Sequence, residues 1–170
     1  MIPEMEIVVS GRPDEFTSLF YDSYANGHPT VFRTSRFCNS YHEPVTFGKA
    51  KIVKKGSKAT VLAVGPMLEL AVQALAQEDV TILYYTTIAP FDEITLQKNL
   101  VNNRLLIMEP AYKGGILPQV TKALQGEFVR MDFVGYPHEF IINHGFVTDN
   151  AQIYGMTIPA VQATYKKLIE

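Results

Sequence analysis

Short apolar runs alternate along most of the chain with segments that have one apolar helical face. The run Ala59–Val64 is almost entirely apolar. The segment after it places apolar residues at helical spacing, at Leu68, Ala71, Val72 and Leu75. Such alternation is typical of a mostly parallel sheet with helices on both faces, so we predict a three-layer α/β/α domain over residues 46–170. Its five predicted strands are Gly48–Val53, Ala59–Val64, Val80–Tyr84, Arg104–Met108 and Val129–Val134.

The first of these strands is expected to run opposite to the others. A tight turn at Lys55–Lys58 joins it to the second strand, and this turn is too short for the crossover that parallel neighbours need. Helices separate the four later strands, which we therefore predict to be mostly parallel. The first strand is predicted to be antiparallel to the second.

Residues 1–36 show a second pattern, that of a strand–helix–strand unit. Met5–Val9 and Pro29–Arg33 are β-rich, and the segment between them has one apolar helical face. That face consists of Phe16, Leu19, Phe20 and Tyr24. A unit of this size cannot bury its own core, so we interpret residues 1–45, with a linker at their end, as the tail of another domain. The uncovered face predicts a homodimer.

Composition excludes several classes of protein. A net charge of −2 gives no electrostatic footprint for nucleic acid. No apolar run approaches the roughly 20 residues that a membrane span needs, and the first residues do not have the pattern of a signal peptide. A single cysteine, Cys38, excludes an internal disulfide framework and fits a reducing compartment. We therefore predict a cytoplasmic globular protein.

Two arginines are the strongest candidates for binding chemistry. Arg33 and Arg36 stand at the end of a predicted strand, where a guanidinium group could hold a phosphate or carboxylate with two hydrogen bonds. An inter-domain salt bridge explains the same spacing equally well. His42 is a weaker candidate because it lies in the linker near Arg36, and Glu109 is another because it ends a strand. Glu109 could equally cap the following turn.

Glycines at two predicted helix starts are weak candidates for anion binding. Gly65 follows one strand, and Gly114 and Gly115 precede a later helix, so their backbone N–H groups could meet an anion. Tight turns and close packing explain these glycines better. The sequence lacks a phosphate-binding loop, and its four histidines are dispersed without the spacing of metal ligands.

Three segments in order resemble the last domain of the transketolase-like thiamine diphosphate enzymes. They are FGKAKIVKKGSKATVLAVGPMLELAVQAL, VTILYYTTIAPFDEITL and RLLIMEPAYKGGILPQV. This group includes transketolase, deoxyxylulose phosphate synthase and the beta subunits of 2-oxo acid dehydrogenases. Thr86 departs from the pattern, because many relatives have arginine there. The resemblance implies a transketolase C-terminal-like fold and dimerisation through this domain.

Residues 1–36 are similar to the last strand–helix–strand of the family's pyrimidine-binding domain. In PTVFRTSRFCN, the second arginine matches the family position that binds the substrate's sugar phosphate, which implies this role for Arg36 with Arg33 beside it. The family's Gly-Asp-Gly…Asn metal motif and its pyrimidine-side glutamate are absent from residues 1–170. The resemblance therefore implies thiamine diphosphate and Mg²⁺ in a parent enzyme, and no cofactor, metal site or activity in this chain alone.

Two functions remain open at this point. In the first, the chain is the C-terminal segment of an enzyme that transfers a carbon unit from a ketose or 2-oxo acid. Its partners would then be the remaining cofactor-binding domains or subunit. In the second, it is a non-catalytic α/β domain that binds a ligand or another protein. The strand–helix–strand tail favours the first, because a free-standing module has no obvious use for it.

Overall fold

The computed structural model describes residues 4–142 and 147–170. A strand–helix–strand unit comes first: β1 (Glu6–Val9), α1 (Pro13–Ser23) and β2 (Thr30–Arg33). Then follow β3 (Lys51–Lys54), β4 (Thr60–Val64), α2 (Met67–Ala74), β5 (Thr81–Tyr85), β6 (Thr87–Ala89), α3 (Glu93–Asn99), β7 (Arg104–Tyr112), α4 (Leu117–Ala123), β8 (Arg130–Tyr136), α5 (Val147–Ile153) and α6 (Ile158–Ile169).

The five-stranded sheet confirms the predicted fold class. Its order is β3-β5-β4-β7-β8, with β4, β5, β7 and β8 parallel. Helices α2 and α6 pack together on one face, where Leu68 and Val161 are buried in one apolar cluster. On the other face α3 and α4 pack together and bury Leu96 and Val120 in a second cluster. All side chains of β4 and β5 are buried, which explains their nearly continuous apolar sequence.

The first strand of this sheet has the predicted direction but a different neighbour. Strand β3 runs antiparallel to β5, with Lys51 opposite Tyr84, and makes no ladder with β4. Strand β4 already has parallel neighbours on both sides, β5 and β7. The half-exposed β3, whose Ile52 is 40% accessible, therefore lies at the edge of the sheet. A short turn fixed the direction of β3 without fixing its partner.

The first unit is joined to the rest of the chain by a shared sheet. Strand β1 pairs in parallel with β2 on one side and antiparallel with β6 on the other, giving the order β2-β1-β6. Strand β6 starts two residues after β5 ends, and its three residues were too few to be predicted as a strand. The strand–helix–strand unit from β1 to β2 is therefore not isolated from the rest of the chain. The predicted division near residue 45 stays a prediction.

The predicted apolar face of α1 is in fact two stripes. Glu15, Leu19 and Ser23 are buried against the body of the protein. Phe16, Phe20 and Tyr24 lie one position further round the helix and form an outer aromatic stripe, in which Phe20 and Tyr24 stack at 5.6 Å between ring centroids. Leu19 therefore belongs to the core and not to the exposed face.

A buried polar cluster holds the first unit against the five-stranded sheet. Glu15 Oε2 accepts hydrogen bonds from Tyr84 Oη at 2.6 Å and from Gly11 N at 2.8 Å. Tyr84 Oη also accepts from Asn39 Nδ2 at 3.0 Å. Burial raises the pKa of Glu15. A side chain at Gly11 would collide with Asn39 and Tyr84, so glycine is required here.

Candidate functional site

A cavity of about 420 Å³ lies where the chain leaves β2. Its walls come from residues 33–38, the start of α2, Pro110 in β7, Tyr136 at the end of β8 and Met156. Residues 33–38, which continue from the carboxyl end of β2, form one side of the cavity. Both predicted arginines, Arg33 and Arg36, line this cavity and are exposed to solvent.

The structure gives the two arginines different roles. Arg33 Nη2 donates a hydrogen bond of 2.7 Å to the carbonyl oxygen of Pro110, which ties the end of β2 to β7. Within residues 4–142 and 147–170, the guanidinium group of Arg36 makes no hydrogen bond or ion pair. Neither arginine forms the inter-domain salt bridge with any described residue. Arg36 is therefore a cation at the wall of the cavity that has no side-chain partner among the described residues.

Glu69 is the carboxylate in the cavity wall, and its oxygens are already engaged. Its Oε2 accepts from Ser40 N at 2.6 Å and from Ser40 Oγ at 2.8 Å. Its Oε1 accepts from Gln73 Nε2 at 2.6 Å. The hydrogen bond from the Ser40 side chain is the main cause that lowers the pKa of Glu69. Glu69 fixes the linker to α2 and does not neutralise Arg36.

His42 does not join the two arginines. Its Nε2 lies 3.2 Å from Arg12 Nη1, and Arg12 Nε donates to Asp14 Oδ1 at 2.8 Å. His42 is not among the residues that line the cavity beside Arg36. Proximity in the linker sequence was misleading, because the chain turns between Arg36 and His42 and directs the imidazole towards α1.

Glu109 caps the turn before α4, the structural alternative that the sequence left open. Its Oε1 accepts from Gly114 N at 2.9 Å, and its Oε2 accepts from Ile116 N at 3.2 Å. Burial is the main cause that raises the pKa of Glu109, and the backbone N–H groups oppose this. The anion at the Gly114-Gly115 turn is therefore the protein's own carboxylate. A side chain on Gly115 would begin 2.8 Å from Glu109 Oε2, so this glycine permits the close approach.

Gly65 also has a packing role. Its φ of +51° is a left-handed conformation that favours glycine, and its N–H donates to the carbonyl oxygen of Tyr85 at 3.0 Å. A Cβ atom at Gly65 would lie 2.7 Å from the carbonyl oxygen of Val9. Glycine therefore lets the end of β1 approach the end of β4, and its N–H is already paired within the backbone.

Replacing Glu109 with glutamine should destabilise the protein by about 1.5–3 kcal/mol, because the amide NH₂ group would face a backbone donor. Urea unfolding measures this. Because burial raises the pKa of Glu109, folding favours the protonated form of this side chain. Its contribution to the free energy of unfolding is therefore full at acidic pH and falls as pH rises through that pKa. The variant should lack this part of the pH dependence. Glu15, whose pKa is also raised, titrates in both proteins and cancels in the comparison. Equal stability and equal pH dependence of the two proteins would contradict the capping role.

The buried cluster of Glu15, Asn39 and Tyr84 could not be predicted from local sequence pattern. An acidic residue in the first turn of a helix is explained by the helix dipole alone, and a tyrosine in a buried strand needs a partner for its hydroxyl group that its own segment does not identify. Both become buried partners because the first unit folds back onto β5. The pattern of either segment alone carries no information about that contact.

The described residues do not fit a site for thiamine diphosphate and its metal ion. No three His, Cys, Asp or Glu side chains in these parts of the chain are placed to hold a cation together. The Gly65 N–H is already paired, and the Gly114 and Ile116 N–H groups bind Glu109.

No helix in the described residues has the length and apolarity to cross a bilayer.

Comparison with known proteins shows which family most of this chain is similar to. A profile of the family described as "Transketolase, C-terminal domain" matches residues 48–157. A relative from Rhodococcoides fascians, named as an uncharacterized 33.6 kDa protein in the fasciation locus, is 31% identical over 159 residues. The match covers 91% of this chain and 51% of that protein. A 1-deoxy-D-xylulose-5-phosphate synthase from a Polaromonas strain is 27% identical over 172 residues, covering 95% of this chain and 27% of the enzyme.

Two solved structures share the fold. One, titled a split gene transketolase in an inactive beta4 tetramer, superposes with a TM-score of 0.85 at 18% identity. The match covers 98% of this chain and 58% of that one. Transketolase from Campylobacter jejuni superposes with a TM-score of 0.76 at 16% identity, covering 98% of this chain and 26% of the other. The chain thus spans about half or less of the curated relatives named here.

Proposed function

The chain belongs to the transketolase C-terminal domain family, and we propose that it acts as the C-terminal part of a thiamine diphosphate-dependent enzyme that transfers a carbon unit from a ketose or 2-oxo acid. The name of the Polaromonas relative supports this class of reaction. The cofactor-binding part would come from other residues of a longer polypeptide or from a separate subunit in the cytoplasm. This chain would supply one substrate contact and a surface for assembly.

The observation that carries the proposal is the open side of the first unit. Strand β2 is the outer strand of the sheet β2-β1-β6, so one row of its backbone groups has no partner strand among the described residues. Phe32 in β2 contacts Phe16 and Phe20, at 5.4 and 5.6 Å between ring centroids, so the aromatic stripe of α1 lies beside that same strand. Val31 and Tyr24 are also exposed there. An edge strand beside exposed aromatic rings indicates a sheet that continues into another domain.

Arg36 is proposed to contact the phosphate of the substrate. Its guanidinium group is exposed at a cavity and has no partner in the part of the chain that the structure describes. A planar guanidinium can hold a phosphate with two hydrogen bonds. The match between PTVFRTSRFCN and the family's arginine segment supports this role. Arg33, which is held by the Pro110 carbonyl oxygen, is proposed to support the position of Arg36 and to add a second positive charge.

A chimaera would test whether the open edge joins a second domain. The chimaera joins this chain to the cofactor-binding portion of the Polaromonas relative, in place of that enzyme's matched region. We expect amide hydrogen exchange in β2 to be at least about tenfold slower in the chimaera than in the isolated chain. Exchange in the central strand β4 serves as the control and should be unchanged. Equal protection of β2 in both proteins would show that its edge is not completed by the cofactor-binding portion.

The isolated chain should not bind thiamine diphosphate with useful affinity. The described residues place no cluster of acidic or histidine ligands for the metal ion that accompanies the diphosphate. Calorimetric titration of the chain with thiamine diphosphate and Mg²⁺ measures this directly. Clear micromolar binding by the isolated chain would contradict the prediction, and the same titration of the chimaera is the positive control.

In the absence of the cofactor-binding portion, the chain should self-associate, most simply as a dimer. The aromatic stripe and β2 expose apolar surface that water solvates poorly, and a second copy can cover it. Light scattering at rising concentration should show a mass above the 19.1 kDa of one chain. Tyr24→Lys, on the stripe, should weaken association, whereas Ile94→Lys, exposed on α3, should not. A monomer at every concentration would refute the prediction.

A further inference from the structure

We propose that Glu15 is a pH-dependent latch between the first strand–helix–strand unit and the five-stranded sheet. The latch is closed while the Glu15 side chain carries a proton, and it loosens when that side chain becomes a carboxylate. Its structural basis is a closed ring of hydrogen bonds among Gly11, Glu15, Asn39 and Tyr84, here called the Glu15 ring. The latch needs neither a ligand nor the remaining part of an enzyme, so it goes beyond the proposed function.

The Glu15 ring joins four parts of the chain. Gly11 N and Tyr84 Oη both donate to Glu15 Oε2, at 2.8 and 2.6 Å. Asn39 closes the ring, because its Nδ2 donates to Tyr84 Oη and its N–H donates to the Gly11 carbonyl oxygen, each at 3.0 Å. These residues come from the turn before α1, from α1, from the segment after β2 and from β5. A change at Glu15 therefore acts on all four parts together.

The second carboxyl oxygen of Glu15 makes the ring sensitive to ionisation. Glu15, Asn39 and Tyr84 are only 4%, 3% and 1% exposed. Oε1 of Glu15 is buried and has no hydrogen bond within residues 4–142 and 147–170. A buried carboxylate with one unsolvated oxygen costs far more free energy than a neutral carboxyl group with one unpaired atom. The closed ring therefore favours the protonated side chain.

The charged groups at the start of α1 do not compensate a negative charge on Glu15. Arg12 is engaged elsewhere, since its Nε donates to Asp14 Oδ1 at 2.8 Å and its Nη1 lies 3.2 Å from His42 Nε2. Asp14 itself adds a second negative charge near Glu15. No ion pair in the described parts of the chain includes Glu15. Ionisation would leave a buried charge without a counter-ion.

The titratable groups that face Glu15 from the linker and from β5 are tyrosines. The Tyr41 ring packs against Tyr84 at 5.7 Å between centroids, and its hydroxyl group donates to Glu43 Oε2 at 3.2 Å. Burial raises the pKa of both tyrosines, so they stay neutral where a carboxyl group titrates. Glu15 is therefore the member of the ring whose charge changes.

The direction of the pH effect follows from burial. Burial is the main cause that raises the pKa of Glu15, and the hydrogen bonds from Tyr84 and Gly11 oppose it. The stabilising effect of the closed ring is therefore full at acidic pH and falls as pH rises through this raised pKa. An open ring releases Asn39, which directly follows the cavity wall formed by residues 33–38. Rising pH should thus loosen that wall.

Amide hydrogen exchange of the full chain tests the latch, with the Gly11 and Asn39 N–H groups as reporters. After correction for intrinsic exchange rates, we expect the reporters to be at least about fivefold less protected at about pH 8.5 than at about pH 5. Amides of the central strand β4 are the reference for any change in global stability. Glu15→Gln keeps an acceptor oxygen and cannot ionise, so its reporters should change less than about twofold over the same range.

Two variants separate Glu15 from other titratable groups. Glu127→Gln removes an exposed carboxylate outside the ring and should keep the pH dependence. His42→Gln removes the imidazole beside Arg12 and should keep it as well. Equal protection at both pH values in the native protein would overturn the latch, and so would the same loss in Glu15→Gln. Loss of the pH dependence in His42→Gln would assign the effect to His42 and also overturn it.

Carbon-13 NMR titration of the Glu15 carboxyl group in the native protein decides the matter even if a variant does not fold. The latch requires this group to titrate above the ordinary glutamate value of about 4.3. Titration at or below that value would overturn the latch.

Discussion

Replacing Arg36 with alanine in the chimaera should raise KM for a phosphorylated substrate by about 10- to 150-fold. Loss of one charge-assisted hydrogen-bonded contact corresponds to about 1.5–3 kcal/mol. KM for a non-phosphorylated substrate of the same length should change little, since that substrate never used the contact. Steady-state kinetics with both substrates measure the difference.

Two further variants control for a structural effect of the Arg36 substitution. Arg36→Lys should restore binding only in part, because an ammonium group cannot make the paired contact of a guanidinium. Arg33→Ala removes the hydrogen bond to the Pro110 carbonyl oxygen and should affect KM less than Arg36→Ala. If Arg36→Ala lowered turnover equally on both substrates, a structural role for Arg36 would be the better account.

Gly65→Ala should destabilise the protein by about 2–5 kcal/mol. The left-handed backbone at φ +51° costs an alanine roughly 1–2 kcal/mol, and overpacking adds about 1–3 kcal/mol. The overpacking arises because the new Cβ would lie 2.7 Å from the carbonyl oxygen and 2.8 Å from Cγ1 of Val9. The ends of β1 and β4 would then have to separate. Urea unfolding followed by circular dichroism gives the change in stability.

Gly126→Ala separates the two causes of this loss. Gly126 has a φ of +93°, and a Cβ atom there would meet nothing within 4 Å. Its variant should therefore show only the backbone cost, roughly 1–2 kcal/mol. Equal losses at Gly65 and Gly126 would mean that the contact between Gly65 and Val9 does not hold the two sheets together.

Local pattern was sufficient to predict most of the fold. The apolar runs of β4 and β5 and the helical spacing of α2 follow from residues close together in the sequence, which respond to the same local preferences. The pairing of β3 with β5 and of β1 with β6 did not follow in this way. These contacts are settled by which strand edge is free after the central strands have paired, and no local pattern records that.

The structure shows where each predicted site residue lies, and the binding role of Arg36 stays a prediction. Arg36 could be selected from its place at the end of a strand, and the structure places it at a cavity. His42 was misplaced because neighbours in a linker need not be neighbours in space, and its partner is Arg12. Met67 and Leu70 also line the cavity, but the apolar face predicted for α2 did not include them, so its pattern indicated packing alone.

Turnover by the chimaera tests the central claim most directly. The measurement is the formation of 1-deoxy-D-xylulose 5-phosphate, the product named in the Polaromonas relative, by the truncated relative with and without this chain attached. We predict product from the chimaera and none from the truncated relative alone. A chimaera that folds and binds thiamine diphosphate but forms no product would contradict the account and favour a non-catalytic binding domain.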